Sequence, residues 1–485
     1  MRLARTSALL VVCALLPAYG WFYQAGGWNQ NSRFALTRSL VEQGTVKIDA
    51  HHNATGDKAR RAGHFYSDKA PGLSLAAVPV VAVASPARVG LDWSSYAATV
   101  ATAALPTIAS ALLVGHLAVL LGAGQGAATF AALAFGLATP AWVWATLFFG
   151  HALATFGLLG AFAAALALRD SGSPRRDTLL GVGVGLGAGW AVVTEFPSAP
   201  PAALLAVVAL YCAGRARWRR VAIALGLAAA ACALVLGGYQ TIAFGSPLAT
   251  GYAHVVGWSG MKQGVMGVTS PNLGVLRELL VGEFRGLLPL APLLALAPLG
   301  FVAFVREGRR TAGFVAALLV AYYLLFNAAY TYWSGGWSYG PRHLAPALPF
   351  LALGLAPLWD RARRAPRAVL VLLGLVGALA ALVAVSTTAQ PPESVKRPLR
   401  DLCLPAFLDG DLALNHQAFD EAGADPARLR GGTLRHDAWN LGEQLGLRGL
   451  ASVAPLAALW ATLALVACWW RARATRLSPA RPAAR

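Results

Sequence analysis

Long apolar stretches recur along the whole chain and are separated by short polar connectors. Many of them approach about 20 residues, the length that an α-helix needs to cross the roughly 30 Å of hydrocarbon in a bilayer. We therefore predict an all-α polytopic membrane protein with about 12 transmembrane helices. The predicted spans lie at 7–24, 95–120, 126–144, 148–168, 178–194, 198–213, 220–243, 286–305, 311–330, 343–359, 368–388 and 449–470.

One further apolar segment, at 72–88, is left out of this set. It is short, contains Pro79 and Pro86 and ends in Arg88. Counting it as a span would place the arginine-rich connectors on both sides of the membrane. We predict instead a helix that lies on the outer face or dips into it, where protein covers the backbone groups freed by proline. The alternative segment to exclude is 126–144.

The connectors between the predicted spans carry clusters of arginine. Short cytoplasmic loops retain positive charge, so we place these clusters inside and predict that both termini are cytoplasmic in a bacterial inner membrane. The clusters are Arg169/Arg175/Arg176, Arg215/Arg217/Arg219/Arg220, Arg306/Arg309/Arg310, Arg361/Arg363/Arg364/Arg367 and the tail from Arg471 to Arg485.

Composition supports the same class of protein. The chain is 57% hydrophobic and only 13% charged, whereas a soluble domain carries about twice that charged fraction. A net charge of +19 would also suit a protein that binds nucleic acid. However, the basic residues sit in short connectors between apolar helices, so the excess charge indicates orientation and we predict no nucleic-acid partner.

Polar residues gather in two long external segments. We divide the chain into a transmembrane domain, 1–388, which contains a first external loop at 26–94, then an external (periplasmic) segment, 389–448. The last helix and a basic cytoplasmic tail occupy 449–485.

The first external loop is predicted to begin with a helix. Phe34, Leu36, Leu40 and Val41 fall on roughly one face of a helix over 32–43. This spacing predicts a juxtamembrane amphipathic helix that lies in the plane of the interface.

The same loop carries two Asp–Lys pairs, Asp57/Lys58 and Asp68/Lys69. A carboxylate there could take a proton from an acceptor hydroxyl, while the adjacent ammonium group binds phosphate oxygens. The alternative is that both pairs are solvated surface ion pairs, each contributing about 0–1 kcal/mol.

Other candidates lie where predicted helices meet the outer face. Glu195 is expensive at that depth and is a functional candidate, or else a carboxylate that reaches the interface. His151 binds substrate or simply packs. Arg342 and His343 follow the aromatic loop 331–342, where Arg342 suits a phosphate headgroup and Tyr339 is a substrate contact or part of an interfacial aromatic belt. His51 and His52 have no spaced third ligand, so we predict no metal site and no cofactor, although a divalent metal is not excluded.

These segments resemble membrane glycosyltransferases of the GT-C fold, in particular the bacterial family 39, protein mannosyltransferase and aminoarabinose-transferase group. The resemblance covers most of 1–360 and rests on NQNSRFALTRSLVEQG, YSDKAPGLSLAAVP, FGSPLATGY, the RGLLPLAP stretch at 285–292 and SGGWSYGPRHLAPALPFL. It implies a GT-C-like bundle and inverting transfer of a sugar from a polyprenyl-phosphate lipid to an acceptor on the outer face. It also implies an acidic residue in the first loop as base, and basic residues that bind the donor phosphate, for which Lys69, Arg342 and Arg33 are the candidates.

The chain departs from the family pattern in one respect. Many members carry an acidic pair just before the arginine that corresponds to Arg33, but here the two positions are Gln30 and Asn31. Either Asp57 or Asp68 then serves as base, with Asp49 a further option. The alternative is a non-catalytic membrane protein, such as a lipid-glycan transporter or an assembly scaffold. The sequence does not predict the sugar, the acceptor or the oligomeric state.

Overall fold

The computed structural model describes residues 3–422, 428 and 437–477, so most of the predicted basic tail lies outside the described residues. The described part is almost entirely helical, and the predicted all-α class is confirmed. The α-helices are α1 (Arg5–Gly20), α2 (Trp28–Gln43), α3 (Gly72–Val83), α4 (Pro86–Val89), α5 (Leu91–Thr99), α6 (Leu105–Leu120), α7 (Gln125–Leu137), α8 (Ala141–Ala145), α9 (Gly150–Ala167), α10 (Pro174–Thr194), α11 (Ala199–Ala213), α12 (Trp218–Phe244), α13 (Leu273–Val281), α14 (Leu287–Leu290), α15 (Ala297–Arg306), α16 (Arg310–Ala329), α17 (Leu348–Arg361), α18 (Arg364–Thr387), α19 (Leu404–Asp409), α20 (His416–Ala422), α21 (Leu441–Gln444) and α22 (Ala454–Leu477).

Tighter and wider helical turns connect several of these elements. Two π-helical turns, Val100–Ala104 and Leu399–Cys403, join α5 to α6 and precede α19. The 3₁₀ turns are His52–Ala54, Phe196–Ser198, Gly251–His254, Ser259–Lys262, Pro292–Leu296, Arg342–Ala347 and Gly449–Ser452.

Seven helices in the described ranges are long and apolar enough to cross a membrane. All seven overlap predicted spans. They are Leu91–Leu120, Gly150–Ala167, Pro174–Thr194, Phe196–Ala213, Trp218–Phe244, Arg310–Ala329 and Arg364–Thr387.

Two of the remaining predicted spans are interrupted in the structure. The segment predicted as one helix at 126–144 divides into α7 and α8, with Pro140 between them. The span predicted at 286–305 divides into α14, a 3₁₀ turn that starts at Pro292, and α15. Proline lacks an N–H and clashes with the preceding turn, so it interrupts the backbone ladder that a continuous span requires.

The excluded segment 72–88 forms α3 and the short α4. Leu73, Ala77 and Val81 are fully buried, so one face of α3 packs against protein along its length. Phe34 of α2 and Phe148 meet that face.

Helix α2 starts earlier than predicted and is apolar on more than one side. Phe34 and Val41 pack on α3, while Leu36 and Leu40 pack in a separate cluster with the C-terminal end of α12. The predicted single apolar face is therefore wrong, because α2 lies between two groups of elements rather than on a flat interface.

Two short antiparallel strand pairs were not predicted. Strands β2 (Lys58–Arg61) and β3 (His64–Ser67) form a hairpin in the first loop, with Lys58 opposite Ser67. Strands β1 (Phe22–Tyr23) and β4 (Trp439–Asn440) join the end of α1 to the segment before α21.

Close helix packing positions the end of α10. A Cβ at Gly187 of α10 would lie 2.7 Å from the carbonyl oxygen of Gly157 on α9, so the two backbones touch through small residues. Helix α9 begins and α10 ends at the same end of the bundle, which also receives the first loop. The arginine clusters at Arg169 and Arg175 lie at the opposite end of these two helices.

Candidate functional site

A cluster of charged side chains lies at the end of the bundle that receives the first loop. It is built from α2, the residues flanking the β2–β3 hairpin, the start of α9, the residue that ends α10, and the chain between α16 and α17. Its members are Arg33, Asp57, Asp68, Lys69, His151, Glu195, Arg342 and His343, all predicted as site residues from the sequence.

Lys69 holds two carboxylates. Its Nζ lies 2.9 Å from Oδ2 of Asp57 and 3.1 Å from Oδ2 of Asp68. The hairpin explains the arrangement, because Asp57 precedes β2 and Asp68 follows β3, so antiparallel pairing brings the two together. The second oxygen of Asp68, Oδ1, is buried and has no hydrogen-bond partner.

Burial shifts the titration of this group. Complete burial raises the pKa of Asp68 to about 6, against the opposing charge of Lys69. Burial by itself lowers the pKa of Lys69, but Asp57 and Asp68 together raise it above the ordinary lysine value. Lys69 therefore stays charged, whereas Asp68 can carry a proton near neutral pH.

A second ion pair joins α2 to the end of α10. Arg33 Nη2 donates to Glu195 Oε1 at 2.6 Å, and its other nitrogens donate to the Ala70 carbonyl at 3.2 Å and to Asn29 Oδ1 at 3.0 Å. Glu195 Oε1 also lies 3.6 Å from His151 Nδ1. A side chain at Gly150 would overlap the Glu195 carboxylate, so the start of α9 has to be glycine for the pair to fit.

Arg342 and His343 complete the cluster. The guanidinium of Arg342 lies over the ring of Phe149 at 4.9 Å, and its Nε is buried without a hydrogen-bond partner. The His343 ring meets the ring of His151 edge-on at 5.6 Å, and His343 Nε2 is also buried without a partner.

The Asp57–Lys69–Asp68 group, the Arg33–Glu195 pair and the Arg342–His343 pair interact electrostatically with one another as one unit. The charges of Asp57 and Glu195 both act on Arg342, and the charges of Arg33 and Lys69 act on His151. Arg33 and Lys69 have carboxylate partners, but no ion pair among the described residues includes Arg342. The cluster thus contains three cations and three carboxylates, and one guanidinium remains available to an anion.

Two tyrosines belong to this unit and were not predicted. Tyr330 is close enough to Lys69, Arg342, Asp68 and Glu195 for their charges to act on it, and burial raises its pKa to about 12. Burial also raises the pKa of Tyr252, which interacts with the charges of Glu195 and Asp68. Tyr252 ends the FGSPLATGY motif, the one sequence signal that could have indicated it.

Arg285 is a further buried cation that sequence reasoning did not assign. Its Nε donates to the Ser334 carbonyl at 2.8 Å, and its Nη2 donates to the Gly336 carbonyl at 2.6 Å. The guanidinium therefore fixes the backbone of the aromatic loop that leads to Arg342. Its position in the RGLLPLAP stretch was the available signal.

Two predicted site residues lie elsewhere. Lys58 points to the other side of β2, where its Nζ donates to the His52 carbonyl at 2.9 Å and lies over the Phe65 ring. Tyr339 is buried in the helix bundle, and its hydroxyl donates to the Ala380 carbonyl at 3.2 Å.

The residues that replace the family's acidic pair have structural partners. Gln30 donates to Gln390 Oε1 at 3.0 Å and accepts from the Phe148 amide at 2.9 Å. Asn31 donates to the Ala54 carbonyl at 2.8 Å. In the part of the chain that the structure describes, no group of three or more His, Cys, Asp or Glu side chains is arranged to hold a metal ion.

Comparison with known proteins places the architecture. No protein-family model and no curated protein sequence matches the chain. Among solved structures, it is similar to ArnT from Cupriavidus metallidurans in the apo state, with 17% identity and a TM-score of 0.54 over 83% of this chain and 68% of ArnT. It is also similar to the same protein bound to undecaprenyl phosphate, with 16% identity and a TM-score of 0.52 over the same shares of the two chains.

The chain has the GT-C fold. This agrees with the fold expected from the sequence resemblance, and together with the seven long apolar helices it identifies a multi-pass membrane protein.

Proposed function

We propose that this GT-C chain is a membrane glycosyltransferase that takes a sugar from a polyprenyl-phosphate donor and transfers it to an acceptor on the outer face of the inner membrane. The observation that carries the proposal is the convergence of Lys69, Arg33 and Arg342 with three carboxylates at one end of the bundle. The undecaprenyl phosphate bound to ArnT, a protein of the same fold, supports the choice of lipid.

The cations suit the donor phosphate. Among the residues that the structure describes, Arg342 has no ion-pair partner and its Nε has no hydrogen bond, so it is the first group that would bind a phosphodiester. Lys69 and Arg33 are paired with carboxylates, so their positive charge would be shared between those carboxylates and the phosphate. As the bond between the anomeric carbon and the phosphate oxygen breaks, these cations stabilise the leaving polyprenyl phosphate.

Asp57 is the preferred base. Its side chain is 11% exposed, whereas that of Asp68 is completely buried. In this proposal Asp57 accepts the proton of the acceptor hydroxyl while the oxygen attacks the anomeric carbon, and a single displacement inverts that carbon. Asp68 holds Lys69 in place. Gln30 and Asn31 have no part in proton transfer.

The proposal is tested with Asp57→Asn and Asp68→Asn in the full-length protein, purified with its bound lipid. We expect Asp57→Asn to abolish transfer and to retain polyprenyl phosphate by mass spectrometry. Asp49→Asn is the matched control, because Asp49 lies in the same loop but pairs with His64 at 2.7 Å, outside the cluster.

Turnover that persists in both Asp57→Asn and Asp68→Asn would remove the assignment of the base. If ordinary phospholipid alone co-purifies as well, the transferase proposal fails. The alternative of a non-catalytic transporter or scaffold would then be favoured. That alternative predicts that disruption of 389–448 abolishes the protein's function in the cell, whereas the two Asn variants leave it intact.

A further inference from the structure

A continuous row of aromatic rings leads from the surface to the charged cluster. Neighbouring ring centroids are 5.2–6.2 Å apart, and the rings meet mostly edge to face. We call this set the aromatic row: Trp28, Trp258, Tyr332, Tyr330, His343 and His151.

The outer end of the aromatic row is open. Trp28 is 49% exposed, although tryptophan has one of the largest apolar side chains. Its ring lies directly against Gly56, where a Cβ would come within 2.6 Å of it, and the next residue is Asp57. The exposed ring therefore lies against the backbone of the residue that precedes Asp57, whose carboxylate is proposed as the base.

One common way to bind a polypeptide acceptor is through an unpaired strand edge, and both edges of β2 are occupied. Strand β2 pairs with β3 on one side. On the other side Ala59 forms a bridge with Val255, and the Val256 amide donates to the Lys58 carbonyl at 2.9 Å. Strand addition, which recognises extended peptides through their backbone, has no free partner there.

The outer half of the aromatic row is also uncharged. Trp28, Trp258 and Tyr332 offer ring faces and one hydroxyl, and the Tyr332 hydroxyl is within 3.1 Å of the Gly260 amide. Aromatic faces carry partial negative charge and attract the polarised C–H groups on the faces of sugar rings. The Tyr332 hydroxyl, which accepts from the Gly260 amide, keeps its own proton to donate to a sugar hydroxyl.

We infer that the aromatic row is the acceptor-binding surface and that the acceptor presents an uncharged carbohydrate to it. This inference rests on the proposed function, because it places the acceptor hydroxyl next to Asp57. The outer rings stack on the sugar units of the acceptor. The inner rings, Tyr330 and His343, connect this surface to the part of the cluster where the charges of Arg342 and Lys69 act on them.

The test measures glycan binding to the full-length protein in nanodiscs, by saturation-transfer NMR with maltotetraose, cellotetraose and chitotetraose as probes. We expect at least one of them to bind and Trp28→Ala to weaken it about three- to ten-fold, the factor expected for one stacked ring. Trp28→Phe keeps a ring and should restore most of the binding.

Trp93→Ala is the matched control. Trp93 is 43% exposed, similar to Trp28, but its ring contacts Tyr96 and Trp439, away from the charged cluster. We expect this variant to bind as wild type does.

Three outcomes would overturn the inference: no probe binds, Trp28→Ala binds as well as wild type, or Trp93→Ala loses as much as Trp28→Ala. Preferential binding of an uncharged serine-containing peptide or of phospholipid vesicles, lost in Trp28→Ala, would also overturn it. Mass spectrometry of bound lipid on the same samples separates the two proposals. Polyprenyl phosphate without glycan binding removes the acceptor inference alone, whereas its absence counts against the donor.

Discussion

Removing the negative charge of Glu195 tests whether the Arg33–Glu195 pair supports the site. Arg33 and Glu195 side chains are only 3% and 15% exposed, and their closest atoms are 2.6 Å apart. At an effective dielectric constant of about 20, opposite charges about 4 Å apart attract by about 4 kcal/mol. Glutamine keeps an acceptor oxygen and Arg33 keeps its bonds to Ala70 and Asn29. We therefore expect Glu195→Gln to lower the free energy of unfolding by about 2 kcal/mol, and Glu195→Ala by about 3–5 kcal/mol.

The same helix supplies the control. Arg38 and Glu42 are paired at 2.8 Å on α2, but their side chains are 24% and 29% exposed. An exposed helical pair of this kind contributes about 0.3–0.5 kcal/mol, so Glu42→Gln should be nearly neutral.

The assay is reversible unfolding in mixed micelles, followed for the wild type, Glu195→Gln, Arg33→Gln and the double variant. The double-mutant cycle isolates the interaction between the two side chains, and we expect a coupling energy of at least about 1 kcal/mol. If Glu195→Gln costs no more than Glu42→Gln, or if the coupling is absent, the pair does not hold α2 against α10 and our account of the site's geometry is refuted.

Three further variants test other parts of the site. Because the pKa of Asp68 is raised to about 6, the folded state binds an extra proton between pH about 4 and 6. The free energy of unfolding should therefore fall as the pH rises through this range. Asp68→Asn should remove this pH dependence from unfolding curves. Gly150→Ala should displace the Glu195 carboxylate and reduce the rate at least ten-fold in a sugar-transfer assay. Gly160→Ala should leave the rate unchanged, because the space around Gly160 on the same helix is open. Equal rates in the two variants would contradict the close contact between Gly150 and Glu195. Lysine at position 285 cannot reproduce the two-armed contact of the guanidinium with the Ser334 and Gly336 carbonyls, so Arg285→Lys should weaken the retention of polyprenyl phosphate measured by mass spectrometry. Arg277 is exposed, so Arg277→Lys should not weaken it. Unchanged retention in both variants would show that Arg285 does not position Arg342.

The helical architecture could be predicted from the sequence because crossing hydrocarbon imposes a length and an apolar composition that are visible residue by residue. Two of the predicted spans are interrupted at prolines. Pro140 and Pro292 break segments that are apolar enough to span but cannot remain one helix. The hairpin β2–β3 escaped prediction because its strands read KARR and HFYS, without the alternating apolar pattern that indicates a half-buried strand.

The composition of the site was predictable for a related reason. Ionisable groups at the ends of apolar helices, such as Glu195 and His151, are expensive unless they have partners, so they were predicted as candidates. Which way the side chains at and beside β2 point could not be predicted without knowing that β2 and β3 form a hairpin. Successive residues of a strand face opposite ways, so Asp57 reaches Lys69 while Lys58 turns to His52. Tyr330 lies beside a segment rich in aromatics and glycines, where nothing in the sequence separates a site residue from an interfacial one, whereas Tyr252 could have been indicated by the FGSPLATGY motif.

Charge balance explains how the cluster can exist without the acidic pair that its family resemblance implies. Gln30 and Asn31 are neutral and occupied, so the carboxylates come from the hairpin and from the end of α10. Three carboxylates then lie among three buried cations: Arg33 and Lys69 are paired directly, and the charges of Asp57 and Glu195 act on Arg342. In the proposed reaction, a donor phosphate would add a negative charge, which Arg342 could meet. Once the acceptor hydroxyl had transferred its proton to Asp57, Lys69 would lose one of its two anionic partners and could turn its charge toward the departing phosphate. The shared lysine would thus couple deprotonation of the acceptor to stabilisation of the leaving group.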